Sequence, residues 1–274
     1  MEEIASQPNP YTLPGDENIT GLLATHLRVA DLYWASEDMT ALAVHAGEQL
    51  AAARWATGDR PSPCGLIVFE GGLGLVEAGP NLHGPATALA WGPGPGETLV
   101  VWHLMTAEQF TGGVPVPNPA AVPPLIAIRE ARLPVTAEPV LLDALPAHEG
   151  MAPSRTIVAA LAAAWHLMEQ PQLIERTVQE PHRADGRSLR RAGLPADGVS
   201  LLALRRQYTP QDRDPDAGTD QRTYRNRWIV SGHWRNQAYG PERSLRRQTW
   251  VPAHMKGPDG APLLSTEKVN VWRR

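Results

Sequence analysis

His233 and His254, each followed two residues later by a cation (Arg235 and Lys256), are the side chains in this 274-residue chain best suited to acid–base work on a phosphate. If they sit on neighbouring strands, one imidazole can act as base and the other as acid in metal-independent RNA cleavage. Lys256 or Arg235 would then stabilise the phosphorane on the way to a 2′,3′-cyclic phosphate. The same segment also suits a second chemistry, single-stranded nucleic-acid binding, in which cations meet phosphates and aromatic rings stack on bases.

The elements needed to position these groups are strands, whose side chains alternate between two sides. In RWIVSGHWRNQAYG (227–240), Trp228, Val230, Gly232 and Trp234 share one side. Ile229, Ser231, His233, Arg235 and Gln237 share the other. A second strand at 248–256 is expected to bury Thr249, Val251, Ala253 and Met255 and to show Trp250, Pro252, His254 and Lys256. Pro252 marks it as an edge. A third strand at 268–273 buries Val269 and Val271 and shows Lys268, Asn270 and Trp272. The connection GPERSLRR contributes Arg243, Arg246 and Arg247. The expected nucleic-acid contacts are therefore Arg235, Gln237, Arg243, Arg246, Arg247 and Lys268, with Trp250 and Trp272 as stacking surfaces. The same pattern also suits a plain antiparallel sheet whose indoles are covered by the rest of the protein.

Charge is polarised along the chain. Residues 1–150 hold 5 Lys+Arg against 17 Asp+Glu, whereas residues 151–274 hold 20 against 12. The last part, 221–274, has 11 basic and 3 acidic residues within an overall charge of −4. Such asymmetry points to an anionic partner for the basic part, or to the acidic part neutralising it. Nearly all the cations are arginine, which suits bidentate phosphate contacts.

Other chemistries lack support in the sequence. GGLGLVEAG (71–79) has neither the spacing nor the following helix of a dinucleotide loop. There is no phosphate loop ending in Gly-Lys-Ser/Thr. The histidines have no metal-ligand spacing, so no metal or cofactor is expected. Asp212, Asp214, Asp216 and Asp220 lie in a Pro- and Gly-containing linker without the downstream glutamate of a calcium loop. The single cysteine, Cys64, excludes an internal disulfide and fits a reducing cytoplasm. The longest apolar run, 156–168, is too short to cross a membrane, and the acidic N-terminal stretch does not read as a signal peptide.

Hydrophobic spacing sets the elements. Helices are expected at 19–29, 37–54 (capped by Ser36), 154–169 (capped by Ser154) and near 186–192. Strands are expected at 66–69, 86–91, 98–105, 125–133 and 200–206, with 31–34 open between helix and strand. Residues 1–17 and 209–221 read as loosely attached or linker. The fold class is α+β, with antiparallel sheets and a few helices in two parts: an acidic unit (1–150) and a basic helix-plus-sheet unit (151–274).

The segment from Arg227 to the C-terminus, RWIVSGHWRNQAYGPERSLRRQTWVPAHMKGPDGAPLLSTEKVNVWRR, resembles a module of uncharacterised proteins from actinobacteria and their phages or plasmids. LYWASEDMTALA near the front resembles the same proteins more loosely. The resemblance implies a bacterial cytoplasmic or mobile-element setting and carries no activity with it. Three readings follow: a nucleic-acid-binding accessory protein (RNA or DNA), a toxin-like endoribonuclease using His233 and His254, and a non-enzymatic protein that meets a protein partner or inhibits it through the acidic unit.

Overall fold

Strands with unbroken runs of apolar residues must be covered on both faces, and two such strands organise this chain. In a computed structural model, β6 (Ala88–Pro93) is buried along its first five residues and β7 (Thr98–Thr106) along its seven central ones. The structure describes residues 17–50, 54–79, 82–113, 118, 122–135, 140–141, 154–205 and 228–256. The chain divides into two units, Met1–Arg206 and Gln207–Arg274.

The first unit is built on a seven-stranded mixed sheet, in an α+β fold. Its other strands are β1 (Asp31–Ala35), β3 (Gly65–Phe69), β8 (Leu125–Pro134), β10 (Ile174–Gln179) and β11 (Val199–Leu204). The order across the sheet is β10-β11-β1-β3-β6-β7-β8. β1 lies parallel to both β3 and β11, and the remaining pairs are antiparallel. Two further strand pairs, β2 (Arg54–Trp55) with β9 (Val140–Leu141) and β4 (Leu75–Gly79) with β5 (Leu82–Pro85), stand outside this sheet.

Helices α2 (Glu37–Leu50) and α4 (Arg155–Met168) pack against one another and supply much of the buried core. Five alanines in α4 allow the close approach. A Cβ added at Gly47 of α2 would lie 2.9 Å from the backbone of Ala159 and Ala160. Trp91 anchors the core. It stacks on Tyr33 at 5.8 Å, meets Trp165 edge-on at 5.3 Å, and donates its indole N–H to the Ser62 carbonyl at 2.9 Å. Gly65 is the cross-strand partner of Trp91, and the indole lies on its Cα where any side chain would stand.

On the other face, α1 (Glu17–Leu27) places Leu23 and Leu27 over Leu66, Ala90 and Trp102. Short α3 (Ala107–Thr111) opens with a reciprocal Thr106–Gln109 cap. The basic α5 (Arg183–Arg191) joins β10 to β11. The Ser36 hydroxyl accepts the Met39 amide at 3.3 Å, as expected of a cap. Ser154 stands at the N-cap of α4, but its hydroxyl makes no capping bond.

The sheet differs from the expected antiparallel arrangement in its parallel centre. The expected boundary at residue 150 also moves: β10 and β11, from beyond it, complete the sheet of the first unit. The charge step near 150 is a change in composition, whereas the unit boundary follows strand pairing. With the boundary at 206, the first unit holds 22 acidic and 13 basic residues, and the second holds 7 and 12. The first 16 residues, the 209–221 linker and the strand expected at 268–273 lie outside the described residues, and with them Lys268 and Trp272. Among the described residues, no helix is long and apolar enough to cross a membrane.

Candidate nucleic-acid interface

The second unit is described from residue 228 to 256 and forms a long antiparallel ribbon. β12 (Trp228–Val230) pairs with β15 (His254–Lys256), and β13 (His233–Tyr239) pairs with β14 (Leu245–Val251). Every partner pair in both ladders sums to 484, so one register runs through them. The ladder breaks where Pro252, which has no N–H to give, falls opposite Gly232.

This register sorts the side chains. Residues directly opposite in an antiparallel pair share a face. His233 pairs with Val251, Arg235 with Thr249, Gln237 with Arg247, and Tyr239 with Leu245. On this face His233, Arg235, Tyr239, Leu245 and Arg247 are exposed, and Gln237 is half-buried. The Arg247 guanidinium lies 5.3 Å from the centre of the Tyr239 ring. His233 Nδ1–H donates to the Ser231 carbonyl at 3.1 Å.

The opposite face carries Trp234 and Trp250, a cross-strand pair in edge-to-face contact at 5.3 Å. Trp250 is only 3% exposed, and its six-membered ring lies over Gly232, 2.5 Å from where a Cβ would sit. The expected place of Trp250 on the open face is therefore corrected. Its alternation was inferred from Thr249 and Val251, but the indoles hold far more apolar surface and take the covered side. Thr249 and Val251 share the face of Arg235 and His233.

The register places the backbones of the two histidines in different ladders. His254 is the backbone partner of Val230, and His233 that of Val251. The side chains of His254 and Lys256, and with them the expected base–acid pair, lie outside the described residues. Lys256 pairs with Trp228 at the far end of the ribbon.

The ribbon turns through Gly240 to Ser244. Glu242 and Arg243 both take left-handed backbone conformations (φ 52° and 53°), and the Ser244 amide closes the turn onto the Pro241 carbonyl at 3.1 Å. Two successive left-handed residues are the geometry of a type I′ turn, which follows the twist of a hairpin. Arg243 and Arg246 thus stand at the tip. One Arg246 nitrogen donates to the Arg243 and Leu245 carbonyls at 2.6 and 3.1 Å.

A scan against models of protein families, a search of curated proteins and a search of solved structures each found no match. The reading of this chain therefore rests on its own chemistry.

A concave site that sequence reasoning missed lies in the first unit, in a groove of about 1120 Å³ on the sheet beside α5. Its floor includes Leu32, Trp34, Val199 and Leu201, and Trp34 is 40% exposed. The half-apolar pattern of LYWA was the available signal, but the pairing of β1 with β11 and β10 depends on long-range order that alternation does not reveal.

Proposed function

We propose that the protein binds nucleic acid through the arginine face of the β13–β14 ribbon. The observation that carries this reading is the register. It gathers Arg235, Gln237, Tyr239 and Arg247 on one open side of a two-stranded ribbon and turns Trp234 and Trp250 to the other. A ribbon of this kind fits the major groove of a duplex, and its cations suit phosphates of either nucleic acid. With Trp250 buried, phosphate and groove contacts outweigh base stacking, and Tyr239 is the exposed aromatic of the face. The bacterial cytoplasmic or mobile-element setting rests on the resemblance of the C-terminal module alone.

The test is fluorescence polarisation with labelled RNA and DNA, single- and double-stranded. The Arg235→Ala/Arg247→Ala variant is expected to weaken binding by about tenfold or more, roughly equally across sequences, because phosphate contacts carry no base information. Wild-type affinity in that variant overturns the reading.

A further inference from the structure

The groove beside α5 pairs an exposed indole with a rim of carboxylates. Register places Trp34, Leu201 and Thr177 in one row across β1, β11 and β10, on the face opposite Tyr33 and Ala35. α1 covers the neighbouring part of that face, over β3, β6 and β7, and Leu32 packs against its edge. The uncovered stretch of sheet becomes the floor, and α5 with the 195–198 turn forms the far wall through Asp185, Leu189 and Asp197. Gly198, with φ 82°, brings that turn against β10, where a Cβ would stand 2.7 Å from the Gln179 carbonyl oxygen.

Six carboxylates line the groove: Asp31, Glu70, Glu175, Glu180, Asp185 and Asp197. Two already receive hydrogen bonds. The Glu37 amide donates to Glu70 at 3.2 Å, and the Tyr33 hydroxyl donates to Asp31 at 3.4 Å. Among the described residues, the other four make no ion pair. The basic side chains of the lining are Arg176 and His182. The Arg176 guanidinium is directed away, donating to Ser200 Oγ at 3.0 and 3.2 Å and lying 5.5 Å from the Tyr33 ring centre. The groove thus offers a negative field around an apolar floor that includes a tryptophan left 40% exposed.

We infer that this groove binds a small organic cation, a protonated or quaternary amine carrying an apolar body. The ammonium would meet the indole of Trp34 and the rim carboxylates, and the body would cover Leu32, Val199 and Leu201. Tryptophan is the strongest cation–π partner among the side chains. The groove is large enough to hold a whole small molecule, which favours a free ligand over a single side chain of a partner. The site lies wholly in the first unit and is independent of the ribbon.

The test is calorimetric or ligand-observed NMR titration of the full chain with benzyltrimethylammonium, alongside benzyl alcohol and benzoate as neutral and anionic counterparts. The cation is expected to bind, with the alcohol and the benzoate at least about tenfold weaker. Trp34→Leu is expected to weaken the cation by about tenfold. Glu175→Gln/Asp185→Asn changes two exposed side chains and is expected to weaken it and flatten its salt dependence, with the circular dichroism spectrum unchanged. Equal binding of benzoate, wild-type affinity in either variant, or no binding of the cation at about 10 mM overturns the inference. Hexa-arginine binding more than about tenfold tighter than the small cation overturns the assignment to a free small molecule.

Discussion

Gly65 and Trp91 show how one missing side chain sets a core. The indole lies over Gly65 between Tyr33 and Trp165, and its N–H is satisfied by Ser62. Gly65→Ala forces this ring aside and is expected to cost about 1–3 kcal/mol, the usual range for overpacking. A urea unfolding curve checks it, and an unchanged midpoint contradicts the packing described. Gly232 plays the same part under Trp250 in the ribbon. The alternation placed Gly232 beside Trp228, Val230 and Trp234 but did not show the ring that approaches it, because Trp250 sits on the other strand and its side depends on register. Local alternation placed His233, Arg235 and Gln237 on one face correctly for the same strand and failed across the hairpin.

At the scale of elements, helix periodicity was legible and strand partnership was not. The helices expected at 19–29, 37–54 and 154–169 are α1, α2 and α4, with ends shifted by a few residues. Their apolar spacing is local, so it can be read from a short window. The parallel pairing of β1 with β3 and β11 joins segments far apart in the chain, which no window contains. Gly47 gives the helix packing a direct check. Alanine there gains about 1 kcal/mol of helix propensity, but its methyl meets the α4 backbone at 2.9 Å. Gly47→Ala is therefore expected to lower the thermal midpoint, and a raised midpoint would show that α2 and α4 are less close than described. The ribbon turn provides the opposite case. Glu242 holds a left-handed conformation that asparagine accepts more readily, so Glu242→Asn is expected to stabilise the turn by up to about 1 kcal/mol. Slower hydrogen exchange of the β13–β14 amides would show it, and faster exchange would refute it.

Across the whole molecule, buried histidines link stability to pH. Burial pushes the imidazoles of His26, His103 and His166 below their usual pKa. His26 lies against Trp102, and His103 donates through Nε2–H to the Pro85 carbonyl at 3.0 Å. For His166, burial outweighs the opposite pull of Asp59 and Glu169. All three stay neutral in the fold when the unfolded chain takes up protons near pH 6.5. Their contribution is thus present above that pH and is lost as pH falls toward the folded values. Each such histidine can remove up to about 1.4 kcal/mol per pH unit in this window. A urea midpoint that falls between pH 7.5 and 5.5 is expected, and a flat or rising one contradicts it.

The division of charge also belongs to this scale. Composition showed the basic C-terminal part plainly, but the boundary at 206 and the arginine face needed strand pairing to appear. The ribbon's claim is tested most directly by the salt dependence of nucleic-acid binding. The wild-type affinity should fall steeply as salt is raised, with a log–log slope of about −2 or steeper, and Arg235→Ala/Arg247→Ala should lessen that slope by about 2. Binding that is indifferent to salt, or a slope unchanged in the variant, would contradict the account.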